Sequence, residues 1–311
     1  MTRKLLAGFF FGLLLFGFGL PAAAQVSLEL KLSRSVYMQY EAVFAKVKMR
    51  NYSGQPLVFG KDDKLHGELL FDVTLGADGV VPAIQGKQYM LEGTILMPGE
   101  TKEIVVPLSA FFPLGRLGAY RVHAYVKHAQ LKDMFRSNEC RFEVNPGVVV
   151  WSRKVGIPEM LRVSEKIDNT IKDRTYSLRM LVENATKYYY LVIEDGKTIY
   201  SVIRIGREIG MERYKIEVDM LSRLHILMPI SPKIFRYIVV NINGKPEIDR
   251  YMKTTKTIPS LVYDSATGQV IVTGGAEALP GIDYDAPITS PEGKSNNNAN
   301  GTVAPAGSPG R

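Results

Sequence analysis

Along Val43-Phe44-Ala45-Lys46-Val47-Lys48-Met49-Arg50, apolar side chains fall on every second position, and three of the four alternates are polar. A period of two is what a half-buried strand requires, because successive side chains of a pleated chain point to opposite faces. Similar runs occur at Ser27–Leu32, Leu69–Leu75, Lys102–Leu108, Ala119–Val126 and Arg141–Val144. Turn chemistry separates them, in Asn51-Tyr52-Ser53-Gly54, Ala77-Asp78-Gly79 and Met97-Pro98-Gly99-Glu100. Seven or so short strands at this spacing predict an antiparallel β-sandwich over residues 26–147. The break at Asn145-Pro146-Gly147 sets its end.

In Gly118-Ala119-Tyr120-Arg121-Val122-His123-Ala124-Tyr125-Val126, one face holds Tyr120, Val122, Ala124 and Val126. This stretch resembles the penultimate strand of immunoglobulin-like sandwiches, where a tyrosine near the strand start folds its hydroxyl back onto upstream backbone. With the preceding proline-glycine turn it is similar to bacterial Ig-like modules, including the proteinase-inhibitor type. The resemblance covers about a third of the chain, implies a fold, and carries no functional residues.

Residues 148–174 read as a linker containing a short helix or loop, with Met160, Ile167 and Ile171 near helical spacing. Trp151, the one tryptophan, is expected to plug the junction between modules. Residues 175–280 carry a faint duplication. Tyr188–Lys197 parallels Phe235–Lys245, each a strand ending in a Gly-Lys turn, with Gly196 and Gly244 48 residues apart. Asp-Gly and Asn-Gly supply the positive φ such turns need. Val218–Leu227 likewise parallels Val262–Val272, so each unit reads strand, turn, strand, spacer, strand, turn, strand. A four-stranded unit resembles one blade of a β-propeller. Two blades cannot close a ring, so a second sandwich is favoured, extended by the alternation of Tyr176, Leu178 and Met180. The closing Leu261-x-x-Asp264 and Gly268-x-Val270-x-Val272-x-Gly274-Gly275 pattern is similar to that of exported Gram-negative bacterial proteins of unassigned role. The fold class expected is therefore all-β: an Ig-like antiparallel sandwich, a second antiparallel β-rich module, and a disordered tail.

The two ends differ from this pattern. Residues 1–25 hold Arg3 and Lys4, an uncharged apolar run Leu5–Leu20, then Pro21-Ala22-Ala23-Ala24. That layout predicts a secretory signal peptide cleaved before Gln25, hence a periplasmic or extracellular protein without a membrane span once cut. The run is short of the ~20 residues a spanning helix needs. Residues 281–311 are rich in Asn, Gly, Pro, Ser and Ala with hardly an aliphatic, and are expected to be disordered because they bury too little surface to offset ordering entropy.

The chain has 39 Lys+Arg against 31 Asp+Glu, a formal charge of +8, with both signs interspersed. Without a clustered basic face, nucleic acid is not an expected partner. The single cysteine, Cys140, excludes an intrachain disulfide framework and reads as a small strand hydrophobe. No Gly-x-Ser-x-Gly, His-Glu-x-x-His, phosphate loop or dinucleotide fingerprint occurs, so no cofactor, metal or catalytic residue is assigned. His123 and His128 face opposite sides of one strand and cannot share an ion. Asp62, Asp63, His66 and Glu68 lack calcium-loop spacing. His225, between Leu224 and Ile226, reads as a hydrogen-bonded structural residue.

The one candidate ligand surface is the outward row Arg121, His123, Tyr125 and Lys127. The function expected is that of a non-enzymatic exported binding or scaffold protein, meeting an envelope protein or polysaccharide through sheet faces and edges. The alternative is an inhibitor or accessory subunit of an exported hydrolase, inserting a loop such as Gly60–Gly67 or Gly86–Gly93.

Overall fold

The computed structural model describes residues 25–285, apart from 61, 63–64, 85–88, 92, 169 and 211–213. The predicted leader, save Gln25, and the predicted tail beyond Asp285 lie outside the described residues, as does half of Gly86–Gly93. The described chain is all-β, with two short helices and several mainly antiparallel sheets.

The first module contains β1 (Val26–Leu32), β2 (Val36–Met38), β3 (Phe44–Asn51), β4 (Gly67–Leu75), β5 (Thr101–Pro107), β6 (Gly118–His128) and β7 (Cys140–Asn145). One sheet runs β1-β3-β5, and the other β2-β7-β6-β4 with shorter pieces beyond. The alternating residues meet between them: Leu30, Ala45, Val47 and Val106 from one sheet, Val73, Tyr120, Val122 and Phe142 from the other. That shared core makes the module a sandwich. Tyr120 stacks on Phe142 with centroids 4.9 Å apart, and its hydroxyl donates back to the Arg116 carbonyl at 2.8 Å. β2 pairs in parallel with β7, the one departure from antiparallel order in this sheet among the described residues.

The second module begins earlier than its hydrophobic pattern indicated. Val148–Gly156, expected to be linker, is strand β8, and only Glu159–Ser164 is helical. Pairing with β9 (Asp173–Glu183) holds β8 at the sheet edge, where nearly all its side chains are exposed. An edge strand of that kind has no buried face to impose alternation, which is why its sequence does not betray it. Trp151 on β8 packs against the core inside this module; the junction is filled by Met38 instead.

β8 and β9 continue into β10 (Thr186–Glu194) and β11 (Ile199–Arg207) as one four-stranded sheet. A second comprises β12 (Lys215–Val218), β13 (Leu224–Ser231), β14 (Ile234–Val240) and β15 (Pro246–Lys253), with Ala276–Glu277 at its edge. Hairpin β16 (Ser260–Asp264) and β17 (Gln269–Thr273) follows. The sheet boundaries cut through the sequence repeat: β10 and β11 close one sheet, while β12 and β13 open the next. Tyr176, Leu178, Leu191 and Ile193 pack face to face with Leu224, Ile226, Ile238 and Val240. The far face of the second sheet, with Leu227, Tyr237 and Val239, is covered by Leu261 and Val270 of the hairpin.

Ordered chain continues five residues into the expected tail. Asp283 forms a bidentate pair with Lys253, and Tyr284 stacks on Tyr251 at 4.4 Å. One aromatic and one carboxylate anchor a segment too poor in aliphatics to be recognised by composition.

Candidate functional site

The sandwich core fixes which side of β6 is free. Tyr120, Val122, Ala124 and Val126 are buried inward, so Arg121, His123, Tyr125 and Lys127 line the outer face together, as the period of two requires. His128 points inward: its Nε2 meets the Val58 carbonyl at 3.0 Å and its Nδ1 accepts from the Gln130 amide at 3.1 Å.

The outer row is not a bare basic strip. Register places Asp72 opposite His123 and Glu68 opposite Lys127, and Glu68 itself pairs with His66 at 2.8 Å. Arg136, in the two-residue strand beside Tyr125, donates through Nη2 to His123 Nε2 at 2.7 Å, and its guanidinium lies 5.7 Å from the Tyr125 ring centre. Glu139 approaches the same imidazole at 3.7 Å and accepts from Arg141 Nε at 2.6 Å. Burial and the neighbouring Arg136 charge push the His123 imidazole below its ordinary value, leaving a neutral ring able to accept that bond at pH 7. The hydrogen bond from Arg141 holds the Glu139 carboxyl below its usual range. Arg121 reaches the carbonyls of Gly76 and Ala77, while its buried Nε has no partner among the described residues.

This face is thus a cross-linked polar lattice on a rigid sheet. Its guanidiniums are oriented by an imidazole, a phenol ring and a carboxylate, the geometry suited to recognising planar anions and amides. Arg136, Glu139 and Arg141 escaped the sequence reading because they come from other segments, two of them strands and Glu139 the connection between those strands; only the pairing of β6 with its neighbours brings them to the row. Lys127 is exposed, and among the described residues it takes no part in the lattice.

Two further constellations are structural. At the module junction, Arg34 grips Glu41 through two nitrogens at 3.1 and 2.7 Å and donates to the Tyr190 hydroxyl at 2.7 Å. Met38 seals the same place against Leu181 and Tyr190. Of the Tyr188–Tyr190 triplet, Tyr189 faces the opposite core, as alternation demands.

In the second sheet, His225 Nδ1 meets the Tyr237 hydroxyl at 2.7 Å and its Nε2 meets Asp219 at 3.2 Å. Burial alone would raise the Asp219 carboxyl. Bonds from His225 and Arg223 outweigh it and hold the group below the ordinary carboxylate range. The order Asp-His-Tyr looks like a proton relay, yet all three are buried within the sheet. Its chemistry is to tie the β12–β13 turn to β14.

Cys140 is half-buried, and burial pushes its thiol up, away from the reactive thiolate. Among the described residues no cluster of His, Cys, Asp and Glu could hold a metal ion, and no helix is long and apolar enough to cross a membrane.

No protein-family model matches the chain, and no curated protein matches it. Among solved structures it is similar to the crystal structure of Spo0M, a sporulation control protein from Bacillus subtilis. The identity is 9%, the match spans 58% of this chain and 89% of that one, and the TM-score is 0.26. A likeness of that degree carries no inference about fold or function.

Proposed function

We propose that this chain is an exported, non-catalytic binding or scaffold protein, carried by its leader to the periplasm or extracellular space. It holds an envelope protein or polysaccharide against the outer face of β6. On this reading the first module is Ig-like, with Tyr120 closing onto Arg116 in the manner of a tyrosine corner. The second supplies stacked, blade-like sheets as a rigid support. The observation that carries the proposal is the Arg136 guanidinium, oriented by His123 and Tyr125 on the solvent face of a strand whose other face is core. Side chains ordered on a surface are pre-organised for a partner, which lowers the entropy lost on contact.

Immobilised protein, challenged with envelope extract separated into protein and glycan fractions, captures one of them. Replacing Arg121 and Arg136 together by alanine weakens that capture at least about tenfold, because two oriented cations are lost. Circular dichroism stays unchanged, since both residues lie outside the core. Full capture by the double variant, or no capture by the parent from either fraction, overturns the proposal.

A further inference from the structure

Strand register sorts the outer face of the first module into rows that run across the sheet. His123 lies beside Asp72 of β4, and Glu139 closes on the same imidazole from the other side at 3.7 Å. Two residues along β6 in one direction, Arg121 lies between Thr74 of β4 and Arg141 of β7. Two residues along in the other, Tyr125 pairs with Arg136. An acidic row thus runs between two basic ones, each about 7 Å from the next, the length that two residues of extended chain cover. Beyond them Lys127 faces Glu68, and Glu143 shares the outer side of β7 with Arg141.

These rows hold opposite charges in equal number. Arg121, Lys127, Arg136 and Arg141 are matched by Glu68, Asp72, Glu139 and Glu143, while His123 is neutral at pH 7. A polyanion drawn to the guanidiniums would meet Asp72 and Glu139 between them, and a polycation would meet the guanidiniums. Asp72 is exposed and, among the described residues, enters no hydrogen bond or ion pair, so a carboxylate acceptor stands open in the middle row. No large apolar side chain is exposed on β4, β6 or β7, although Val80 is exposed at the rim beyond Thr74. One aliphatic at a rim does not supply the central apolar anchors on which protein interfaces depend.

Granted the binding role proposed above for the outer face of β6, we propose that the partner is an uncharged polysaccharide, whose hydroxyls donate to the Asp72 and Glu139 carboxylates and accept from the Arg121 and Arg136 guanidiniums. A hydroxyl carries one donor and two acceptor lone pairs, so a chain of them serves both kinds of row at once. A chain of carboxylates or of ammonium groups serves only one. Hydrogen bonds to ionised groups are the strong ones, and a neutral chain gains them without burying a net charge.

Envelope glycan divided by anion exchange into neutral and acidic pools tests this on immobilised protein. The neutral pool is captured and the acidic pool is not. Raising sodium chloride from about 0.05 to 0.5 M changes neutral-pool capture less than about threefold, where a chain held by its charges loses at least about tenfold through screening. Asp72→Ala gives the sharpest contrast, because the two kinds of site respond with opposite sign. Loss of an acceptor weakens neutral-pool capture at least about threefold, whereas at a site for anions the loss of a nearby carboxylate strengthens capture. Circular dichroism is unchanged, because Asp72 is exposed. Capture of the protein fraction, lost in the Arg121 and Arg136 double variant, keeps the binding face and overturns the polysaccharide. So does capture from the acidic pool, a larger loss in salt, or neutral-pool capture that Asp72→Ala leaves unchanged or strengthens. Capture from no fraction overturns the binding role itself.

Discussion

Arg34 should decide whether the two modules unfold as one body. Its side chain is 12% exposed and that of Glu41 9%, so the pair is almost fully withdrawn from water. Burial opposes the Arg34 charge, but the bidentate Glu41 carboxylate more than offsets it, and the guanidinium holds its proton more tightly than usual. Replacing Arg34 by methionine keeps the packing volume and removes the charge, the two bonds to Glu41 and the bond to Tyr190. Breaking a buried pair from one side leaves an uncompensated carboxylate, at about 3–5 kcal/mol. With a urea slope of about 3 kcal/mol/M, the midpoint falls by about 1–1.7 M.

The assay separates the modules because the one tryptophan, Trp151, reports on the second of them. In the parent, tryptophan fluorescence and far-ultraviolet circular dichroism follow one coincident transition. In Arg34→Met the circular dichroism transition moves to lower urea and splits from the fluorescence. Adding Glu41→Gln, which removes the stranded charge and keeps an acceptor for the Met38 amide, recovers about half the loss. Separate transitions already in the parent, or a midpoint unmoved by Arg34→Met, would refute the claim that this pair couples the modules.

Two further outcomes follow from buried hydrogen bonds. Asp219 ionises more readily in the folded chain than its ordinary value of 3.8, so its stabilisation is present above that pH and is lost as pH falls through the lower folded value. Asp219→Asn therefore destabilises by about 1–3 kcal/mol at neutral pH, and urea midpoints of variant and parent converge toward pH 2; a constant gap would contradict the assignment. Tyr120→Phe removes the bond to the Arg116 carbonyl while leaving the ring stacked on Phe142, and lowers stability by about 0.5–1.5 kcal/mol in thermal or urea melts.

How much of the candidate site could be read beforehand follows from the same geometry. Arg121, His123, Tyr125 and Lys127 were placed on one outer row because alternation along a single strand is local information. Arg136 and Glu139, which orient His123, stand 13 and 16 positions further on, and nothing in the intervening residues states that they return to it. The relation of Tyr190 to Arg34, across 156 positions, is more remote still. The duplication between Gly196 and Gly244 was visible as a period, but its division into sheets was not, since a spacer looks alike whether the chain stays in one sheet or crosses to the next.

What the amino-acid order determined by itself, then, is whatever one strand can express: which side chains face inward, where Asn145-Pro146-Gly147 interrupts, and where Asp-Gly and Asn-Gly reverse the chain. Tertiary structure decided which strands are neighbours, that Val148–Gly156 is an edge rather than a linker, that Met38 rather than Trp151 fills the junction, and that Asp283 and Tyr284 are anchored. The physical reason is that inward-facing side chains specify burial without specifying the partner. Partners are selected by the simultaneous packing of distant faces, and an edge strand or a single anchoring ion pair leaves no periodic trace.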